Sequence, residues 1–338
     1  MKQKLIYTLT LLIHIKKGVI MKLKGKVLPK TELNKFLKSL RSYGEVYGPV
    51  KKDVVKLEKI NDVKDICFDE HLWFPPKQFI FPEKHVMFKF EKGKFTTNYD
   101  DIKPTVLFGL RKCDLQGFAI NDKLFLTQEF VDPHYKKRRE NLLLVGLYCY
   151  NEMDKYCFCE SMELDDHYDL MLLDRGDYFH VKSGSKKGEK YIKNLKDQEF
   201  DAPKTTCKTT LDVKQIKEFF TNDMWNEGAD KCLSCGHCTN LCPTCLCFTI
   251  EDDMNLDRSG ERVAKLDSCQ FKDFTKVAGG HVFRESRVDR FKHRIYHKLE
   301  YFKEKFDLYM CTGCGRCIRG CPEKIDWIEL IHKMDKAK

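Results

Sequence analysis

Two segments of the chain repeat one spacing of four cysteines, and each segment ends in proline. They run from Cys232 to Pro243 and from Cys311 to Pro322. Both read C-x2-C-x2-C-x3-C-P, the spacing with which bacterial ferredoxins bind [4Fe–4S] clusters, and in such pairs the fourth cysteine of each motif binds the cluster of the other. The sequence therefore predicts cluster 1 on Cys232, Cys235, Cys238 and Cys321, and cluster 2 on Cys311, Cys314, Cys317 and Cys242.

Three glycines between these ligands fit the same interpretation. Gly236, Gly313 and Gly315 lie where backbone N–H groups must approach sulfur and where a side chain would obstruct them. Hydrogen bonds from such groups to sulfur help to set the reduction potential of a cluster. Because iron–sulfur clusters accept and release single electrons, the two motifs predict a role in electron transfer.

The cysteine content bears on the compartment in which the chain folds. Seventeen cysteines in 338 residues raise the alternative of a disulfide scaffold. Such scaffolds are usually short and secreted, whereas thiols that bind clusters must stay reduced until they meet iron. The cysteine usage therefore predicts a cytoplasmic protein.

The charge of the chain indicates the kind of partner that it suits. The formal net charge is +10. Eight ligand thiolates and two oxidised cluster cores change the charge to about +6, which suits an acidic partner protein. Basic and acidic residues are mixed throughout the chain, and no nucleic-acid-binding motif is present, so we predict no nucleic-acid partner.

The first twenty residues carry an apolar run that needs a separate interpretation. Leu5–Ile15 follows two lysines and resembles the apolar part of a signal peptide, but no small-residue cleavage site comes after it. The run is too short to span a bilayer, and no other segment is suited to do so. We interpret residues 1–20 as an extension or as the product of a mis-assigned start, with Met21 as the alternative first residue.

Residues 21–200 are predicted to form a mixed α/β domain. After Thr31, which can cap a helix, leucine and phenylalanine recur at helical spacing. Thr105–Leu110 and Leu142–Cys149 are apolar runs of the kind found in buried parallel strands. The Lys-rich stretch 183–206 begins with glycine and serine and is predicted to be a linker or a surface loop.

Residues 201–338 are predicted to form an α-helical ferredoxin domain with two [4Fe–4S] clusters, which makes the fold class α+β. Sixty-eight residues separate Cys242 from Cys311, whereas the motifs of compact bacterial ferredoxins lie closer together. Apolar residues at helical spacing from Val288 to Phe306 predict a long helix in this gap. Two cysteine motifs joined by helices resemble the α-helical ferredoxin fold.

The same helix carries a row of cations that is a candidate docking face for an acidic partner. A solvated helix face is the alternative of equal weight. The cations of this row are Arg287, Arg290, Lys292, Arg294, Lys298 and Lys303.

Four cysteines outside the motifs form a candidate third metal site. Cys113 follows one predicted strand and Cys149 ends another, so neighbouring parallel strands would bring both to one edge of the sheet. Cys157 and Cys159 form a C-x-C pair, which is tight for a cubane and is also found in zinc sites. A third iron–sulfur cluster is therefore one candidate occupant of this site.

The other five cysteines carry weaker predictions. Cys245, Cys247 and Cys269 are interpreted as small buried hydrophobic residues, and the alternative is that some of them bind another metal centre or form polar packing around the first. Cys67 and Cys207 are interpreted as solitary core or surface thiols.

The sequence contains no motif for an organic cofactor or for a nucleophile. No G-x-G-x-x-G segment follows a predicted strand, and neither a Walker loop nor a nucleophile elbow is present. A flavin or nicotinamide site must then belong to another chain. Gly279-Gly280-His281 is interpreted as a turn, with a site beside a cluster as the alternative. We predict no catalytic residues and favour an electron-transfer subunit over an enzyme with chemistry at a third centre.

Several segments resemble the β subunit of archaeal sulfhydrogenase, a cytoplasmic nickel–iron hydrogenase, and the A subunit of anaerobic sulfite reductase. The run from Cys232 to Phe248 is the most specific of them, and residues 43–50 and 75–77 favour the sulfhydrogenase side. The resemblance extends from about Met21 nearly to the C-terminus. The other matching segments are Lys112–Asp114, Tyr156–Cys159, Asp267–Phe271, Ala278–His281 and Cys311–Cys317.

This resemblance implies a subunit that carries electrons between a flavoprotein subunit using NAD(P)H and a catalytic subunit such as a nickel–iron hydrogenase or sulfur reductase. It also favours a role for Cys113, Cys149, Cys157 and Cys159, because members carry cysteines in these contexts. The A subunit of an anaerobic sulfite reductase is the alternative within the resemblance. A zinc-binding structural module is the alternative of another class.

Overall fold

The computed structural model describes residues 22–337, which form two β-sheets surrounded by helices. The apolar run Leu5–Ile15 and the alternative start Met21 lie outside the described residues. The strands are β1 (Lys22–Pro29), β2 (Glu45–Lys51), β3 (Val55–Lys59), β4 (Lys84–Glu91), β5 (Lys94–Thr96), β6 (Thr105–Leu110), β7 (Leu142–Leu147), β8 (Leu170–Asp174), β9 (Tyr178–Ser183), β10 (Lys196–Asp201), β11 (Phe248–Met254) and β12 (Gly260–Leu266). The α-helices are α1 (Leu33–Leu40), α2 (Lys112–Leu126), α3 (Pro133–Glu140), α4 (Lys186–Ile192), α5 (Trp225–Lys231), α6 (His237–Asn240), α7 (Arg287–Tyr296), α8 (Phe302–Phe306), α9 (Arg316–Arg319) and α10 (Trp327–Lys336).

The larger sheet has eight strands in the order β10-β1-β9-β8-β7-β6-β2-β3. Its four central strands, β8, β7, β6 and β2, run parallel, and antiparallel strands flank them on both sides. Strands β6 and β7 are almost entirely buried, as their apolar runs predict. Because β6 and β7 are parallel neighbours, Cys113 and Cys149 follow them at the same edge of the sheet.

Apolar helix faces cover both sides of this sheet. On one side α1 buries Leu33, Phe36, Leu37 and Leu40 against the strands. On the other side α2 and α3 contribute Leu115, Phe118 and Tyr135 to a second core. The side that carries α2 also receives the loops that bear the cysteines, because α2 begins directly after β6.

The prediction of a linker at residues 183–206 was wrong. This stretch ends β9, forms α4 and then forms β10, which pairs antiparallel with β1 at the edge of the sheet. Only Phe200 of β10 is buried. An edge strand with one buried side chain gives almost no apolar periodicity, so its composition resembles that of a loop.

The prediction that residues 201–338 are all helical also needs correction. Strands β11 and β12 form a hairpin between the two cysteine motifs, and β12 pairs with β4 to build a four-stranded sheet ordered β11-β12-β4-β5. Most side chains of β11 are exposed. The second sheet therefore joins segments from both sides of residue 200.

Helices dominate the rest of this C-terminal part and share one core. The long helix predicted in the gap exists as α7, a π-helical turn over His297–Tyr301, and α8 in direct succession. It packs its apolar side against α5 and α10 through a core that includes Trp225, Phe291, Ile295 and Trp327. No helix within residues 22–337 combines the length and the apolar character that crossing a membrane requires.

Candidate metal centres

The two cysteine motifs adopt the same backbone conformation. In each motif the residue two positions after the first cysteine has a positive φ, at Ser234 (+53°) and Gly313 (+65°), and its N–H donates to the Sγ of that cysteine at 3.4 Å. Gly236 (+73°) and Gly315 (+69°) then begin the four-residue helices α6 and α9. This repeated wrap orients backbone N–H groups toward sulfur, as the spacing predicts.

The ligands predicted for cluster 1 line one cavity of about 50 Å³, although they come from two motifs. Trp327 and Ile295 close it with apolar surface, and Trp327 Nε1 donates to Cys317 Sγ at 3.4 Å. The fourth cysteine of the second motif therefore lies beside the first three of the other motif. The predicted ligands around this cavity are Cys232, Cys235, Cys238 and Cys321.

The ligands predicted for cluster 2 also lie within electrostatic reach of one another. Burial raises the pKa of Cys311 to about 12, and the thiols of Cys317 and Cys242 add to this effect. Burial likewise raises the pKa of Cys314, with contributions from Cys242 and Cys317. Cys242 thus lies among the cysteines of the second motif, as the exchanged ligand scheme requires.

The spacing of these thiols differs from that of a mononuclear zinc site. Zinc binds sulfur at about 2.3 Å with tetrahedral geometry, which brings any two ligand sulfurs to about 3.8 Å of each other. Within residues 22–337, only His71, Cys113 and Asp114 form a group of three ligand atoms that all lie within 4.8 Å of one another. No three sulfurs of the motif cysteines form such a close group among these residues.

The prediction of a docking face on the long helix is wrong for three of the six cations in that row. Arg290, Arg294 and Lys298 are only 7%, 6% and 3% exposed. Arg290 Nε donates to Gln270 O, Arg294 Nη2 donates to Cys238 O, and Lys298 Nζ donates to Thr244 Oγ1, at 3.0, 3.2 and 2.9 Å. Their spacing of four residues places them on one face of the helix, and this face points toward the cysteines rather than toward solvent.

Two of these cations lie in the field of the cluster ligands. Burial opposes the charge of Arg294, but the thiols of Cys238 and Cys317 hold its pKa well above the ordinary value. For Lys298, burial acts in the same direction and is outweighed by Cys242 and Cys245, so its pKa is also raised. Both side chains therefore remain positive beside groups that carry negative charge once they bind iron.

Cys245, Cys247 and Cys269 pack next to the motifs rather than apart from them. A hydrogen bond from the Cys245 thiol lowers the pKa of Cys242, assisted by Lys298. Cys247 hydrogen bonds to Cys269, and this contact lowers the pKa of Cys269 to about 6. The buried Lys77 Nζ donates to Cys245 O at 2.8 Å and thereby ties the region before β4 to the first motif. Cys245 and Cys269 are buried and Cys247 is half-buried, and the contacts of this group place it beside predicted cluster ligands.

The four cysteines predicted as a third site line a second cavity, of about 310 Å³, at the carboxyl ends of β6 and β7. Cys314 of the second motif lies in the wall of the same cavity. The loop that carries Cys157 and Cys159 packs directly on that motif, because Phe158 N donates to Gly313 O at 2.8 Å. The four residues are Cys113, Cys149, Cys157 and Cys159.

His71 and Asp114 are neighbours of Cys113 that sequence reasoning did not identify. His71 Nε2 lies 3.4 Å from Cys113 Sγ, whereas His71 Nδ1 is buried without a hydrogen-bond partner in the described structure. Burial and the charges of Arg316, Arg319 and Arg111 lower the pKa of His71 well below its ordinary value, so the imidazole is neutral. Both oxygens of Asp114 accept hydrogen bonds from Arg316, which balances the charge of the carboxylate. No local signal marks His71, which lies 42 residues before Cys113.

The predicted turn around His281 is present at the surface. Gly279 and Gly280 have positive φ, and Val277 N donates to His281 O at 2.9 Å. The His281 side chain is exposed and stacks edge-on with Phe283.

Comparison with known proteins decides the family. Residues 231–325 match the family model described as a 4Fe-4S dicluster domain, and this range includes all eight motif cysteines. The chain is 34% identical over 322 residues to "Sulfhydrogenase 2 subunit beta" of Pyrococcus furiosus, and the alignment covers 88% of this chain and 95% of that protein. The chain belongs to the sulfhydrogenase β-subunit family. No solved structure was found to match it.

Membership of the sulfhydrogenase β-subunit family bears out the resemblance inferred from the sequence and identifies an iron–sulfur protein. The dicluster match begins at Lys231, immediately before the first motif. The cavity with Cys113 and Cys149 lies outside that match, although it adjoins the second motif in space.

Proposed function

We propose that this chain is the iron–sulfur electron-transfer subunit of a multi-subunit oxidoreductase. The two cysteine motifs would hold two [4Fe–4S] clusters, which would supply one-electron transfer between partner subunits. The thiols of each site fit this group because they converge from two motifs, and in each motif a backbone N–H donates to the Sγ of the first cysteine. When bound, the clusters would supply one-electron chemistry, and the two motifs would hold them close together.

The observation that carries this proposal is the position of the fourth cysteine of each motif beside the cysteines of the other motif, which supports an exchange of ligands between the two sites. Cys321 lines the cavity of the first motif, and Cys242 lies among the cysteines of the second. Exchange forces the two clusters to be neighbours, because each motif contributes to both. Neighbouring clusters suit an outer-sphere relay, in which no bond is made or broken.

Two observations support the proposed partners: the name of the sulfhydrogenase relative and the lack of a dinucleotide-binding motif in this sequence. The relative is named as a subunit of a sulfhydrogenase, which supports a complex with a catalytic hydrogenase or sulfur reductase subunit. No dinucleotide fingerprint is present here, so a separate flavoprotein would supply electrons from NAD(P)H or a similar donor. We propose a cytoplasmic location, since the ligand thiols must be reduced when iron is inserted.

Iron and acid-labile sulfide on anaerobically purified protein test the cluster assignment. We expect at least about eight irons per chain and a visible absorption band that dithionite bleaches. Cys321→Ala should alter the EPR signal of cluster 1, and Cys242→Ala that of cluster 2, whereas Cys67→Ala serves as the matched control outside all these sites. Zinc without a reducible chromophore would overturn the proposal and favour a structural module.

Purification of the tagged chain from its native cells tests which subunits form a complex with it. We expect a flavoprotein and a catalytic subunit to copurify, and NAD(P)H to reduce the clusters only in their presence. Reduction of the isolated chain by NAD(P)H, or a complex that lacks a flavoprotein, would contradict the proposed relay.

A further inference from the structure

Two cysteines outside the ferredoxin motifs bring their thiols into contact. Cys159 Sγ lies 3.6 Å from Cys207 Sγ, although the two residues are 48 positions apart in the chain. Cys159 lines the larger cavity, of about 310 Å³, and Cys207 contacts Cys159 from a separate segment. The interpretation of Cys207 as a solitary thiol was therefore wrong.

The distance between these two sulfurs is suited to a disulfide bond. A disulfide has an S–S distance of about 2.05 Å, so the sulfurs must approach each other by about 1.6 Å from their present 3.6 Å. Small rotations about the Cα–Cβ bonds of both cysteines can supply this displacement. Bond formation therefore needs little movement of the side chains, provided that the two backbones already lie together.

Hydrogen bonds hold the two backbones together on the carboxyl side of each cysteine. Cys207 N donates to Glu160 Oε2 at 3.1 Å, and Glu160 directly follows Cys159. Four residues after Cys207, Leu211 N donates to Ser161 Oγ at 3.0 Å. A disulfide would thus fix an arrangement that these hydrogen bonds already produce, so it would not distort the fold.

Cys207 is the thiol of this pair that small molecules in solution reach first. It is half-buried, and its neighbours Thr206 and Lys208 are both exposed. Cys157, which shares a loop with Cys159, is buried instead, and its Sγ lies 3.9 Å from the backbone oxygen of Cys314. Because attack on a disulfide requires access to the thiol, Cys207 is suited to react first and Cys159 to react second.

We propose that Cys159 and Cys207 form a reversible disulfide by exchange with a low-molecular-weight disulfide. The Cys207 thiolate attacks one sulfur of the small disulfide, which gives a mixed disulfide and releases one small thiol. The Cys159 sulfur then attacks the sulfur of Cys207, and the second small thiol leaves. The two cysteines lose two electrons and two protons, and the small disulfide gains them.

The disulfide would cross-link a loop that covers the second motif. Phe158 N donates to Gly313 O at 2.8 Å, so the residue beside Cys159 lies on the backbone of that motif. The bond would tie this loop to the segment of Cys207 and suppress its opening. Disulfides of reducing compartments are usually transient and redox-sensing, which agrees with a reversible bond. The thiol pair does not depend on the proposed function, because neither cysteine belongs to the two motifs.

Peptide mapping of the full-length, anaerobically purified chain tests the proposal. The protein is incubated with hydroxyethyl disulfide, its free thiols are alkylated, and it is digested with trypsin. Cleavage after lysine and arginine places Cys207 in the peptide Thr205–Lys208 and Cys159 in the peptide Tyr156–Arg175. We expect these two peptides to appear as one linked species that a reducing agent separates.

Matched variants identify the partner of Cys207, since Cys157 lies in the same tryptic peptide as Cys159. The linked species should persist in Cys157→Ser and in the control Cys67→Ser, and it should be lost in Cys159→Ser. The cluster absorption of each sample shows that the variant has folded.

Three results would overturn the disulfide. The first is a Thr205–Lys208 peptide that stays alkylated throughout the incubation, and the second is a mixed disulfide on Cys207 that never converts to the linked species. The third is a linked species that is lost in Cys157→Ser and retained in Cys159→Ser. Absence of iron–sulfur signals from the untreated chain would instead overturn the proposed function, whereas the peptide map decides the thiol pair.

Discussion

Asp114 and Arg316 form an ion pair from which solvent is fully excluded. Arg316 Nη1 and Nη2 donate to the two carboxylate oxygens at 2.6 and 3.0 Å, and both side chains are 0% exposed. Asp114 lies in α2 on the large sheet, and Arg316 lies in α9 between two predicted ligands of cluster 2. Arg316 Nε also donates to Leu72 O at 2.9 Å. One side chain therefore fastens the second motif to the sheet and to the loop beside the larger cavity.

Removing one member of this pair should destabilise the protein strongly. We expect Asp114→Asn to lower the free energy of unfolding by about 3–5 kcal/mol, because the guanidinium is left buried without its counter-charge. The measurement is the urea midpoint of the anaerobically purified protein, followed through the cluster absorption.

An exposed pair of the same geometry provides the matched control. Arg262 Nε and Nη2 donate to the oxygens of Asp252, both at 2.7 Å, but these side chains are 43% and 40% exposed. Asp252→Asn should change the urea midpoint far less, because water replaces the lost partner. Equal shifts in the two variants would contradict the role that we assign to burial.

Part of this arrangement was predictable from the sequence, and the rest depends on long-range contacts. The cysteine motifs and the strands β6 and β7 carry local signals, namely fixed spacing and continuous apolar runs. The placement of Cys113 and Cys149 at one edge followed from these strands. Cys207 carries no such signal, because its neighbour Cys159 lies on a separate segment.

The burial of Arg294 and Lys298 shows why charge alone misled the prediction. A row of cations on a helix is usually solvated, because burial of an unpaired charge is costly. Here the opposing charge comes from thiols of other segments, and those thiols appear in the sequence as neutral cysteines. Strand β11 was missed for a different reason, since most of its side chains are exposed and it gives almost no apolar periodicity.

Lys298 should raise the reduction potential of cluster 2. Its buried ammonium stabilises the extra electron of the reduced cluster, and its raised pKa keeps the charge at all practical pH values. At an effective dielectric constant of about 20, a unit charge about 8 Å away contributes about 2 kcal/mol, or about 90 mV for one electron. Lys298→Met should therefore lower the potential of cluster 2 in an EPR-monitored redox titration.

Two further variants distinguish this electrostatic role from a packing role. Lys298→Arg keeps the charge and should restore most of the potential. Lys305→Met removes a lysine from an exposed position of α8 and should leave the potential unchanged. A potential that falls equally in Lys298→Arg and Lys298→Met would indicate packing rather than charge.

His297 should make the fold sensitive to mild acid. Burial and the neighbouring Lys298 lower the pKa of His297 to about 4, against about 6.5 in an unfolded chain. Between these values the unfolded chain binds a proton that the folded chain does not, so stability falls as the pH decreases from about 6.5 to about 4. His297→Gln should weaken this dependence, as measured by thermal unfolding under argon from pH 7.5 to 5. An unchanged slope would show that other groups cause the acid sensitivity.

Gly313 should be indispensable because it has no room for a side chain. A Cβ at this position would lie 2.5 Å from both the backbone N and the Cα of Cys159, and its φ of +65° already disfavours other residues.

Gly176 is the matched control, since it has a φ of +85° and a Cβ there would meet no other atom within 4 Å. Gly176→Ala should cost about 1 kcal/mol from backbone strain alone. Gly313→Ala should lower the unfolding temperature further and reduce the iron content, because the collision pushes the loop of Cys159 away from the second motif. Equal iron content and equal unfolding temperatures in the two variants would contradict this close packing of the two loops.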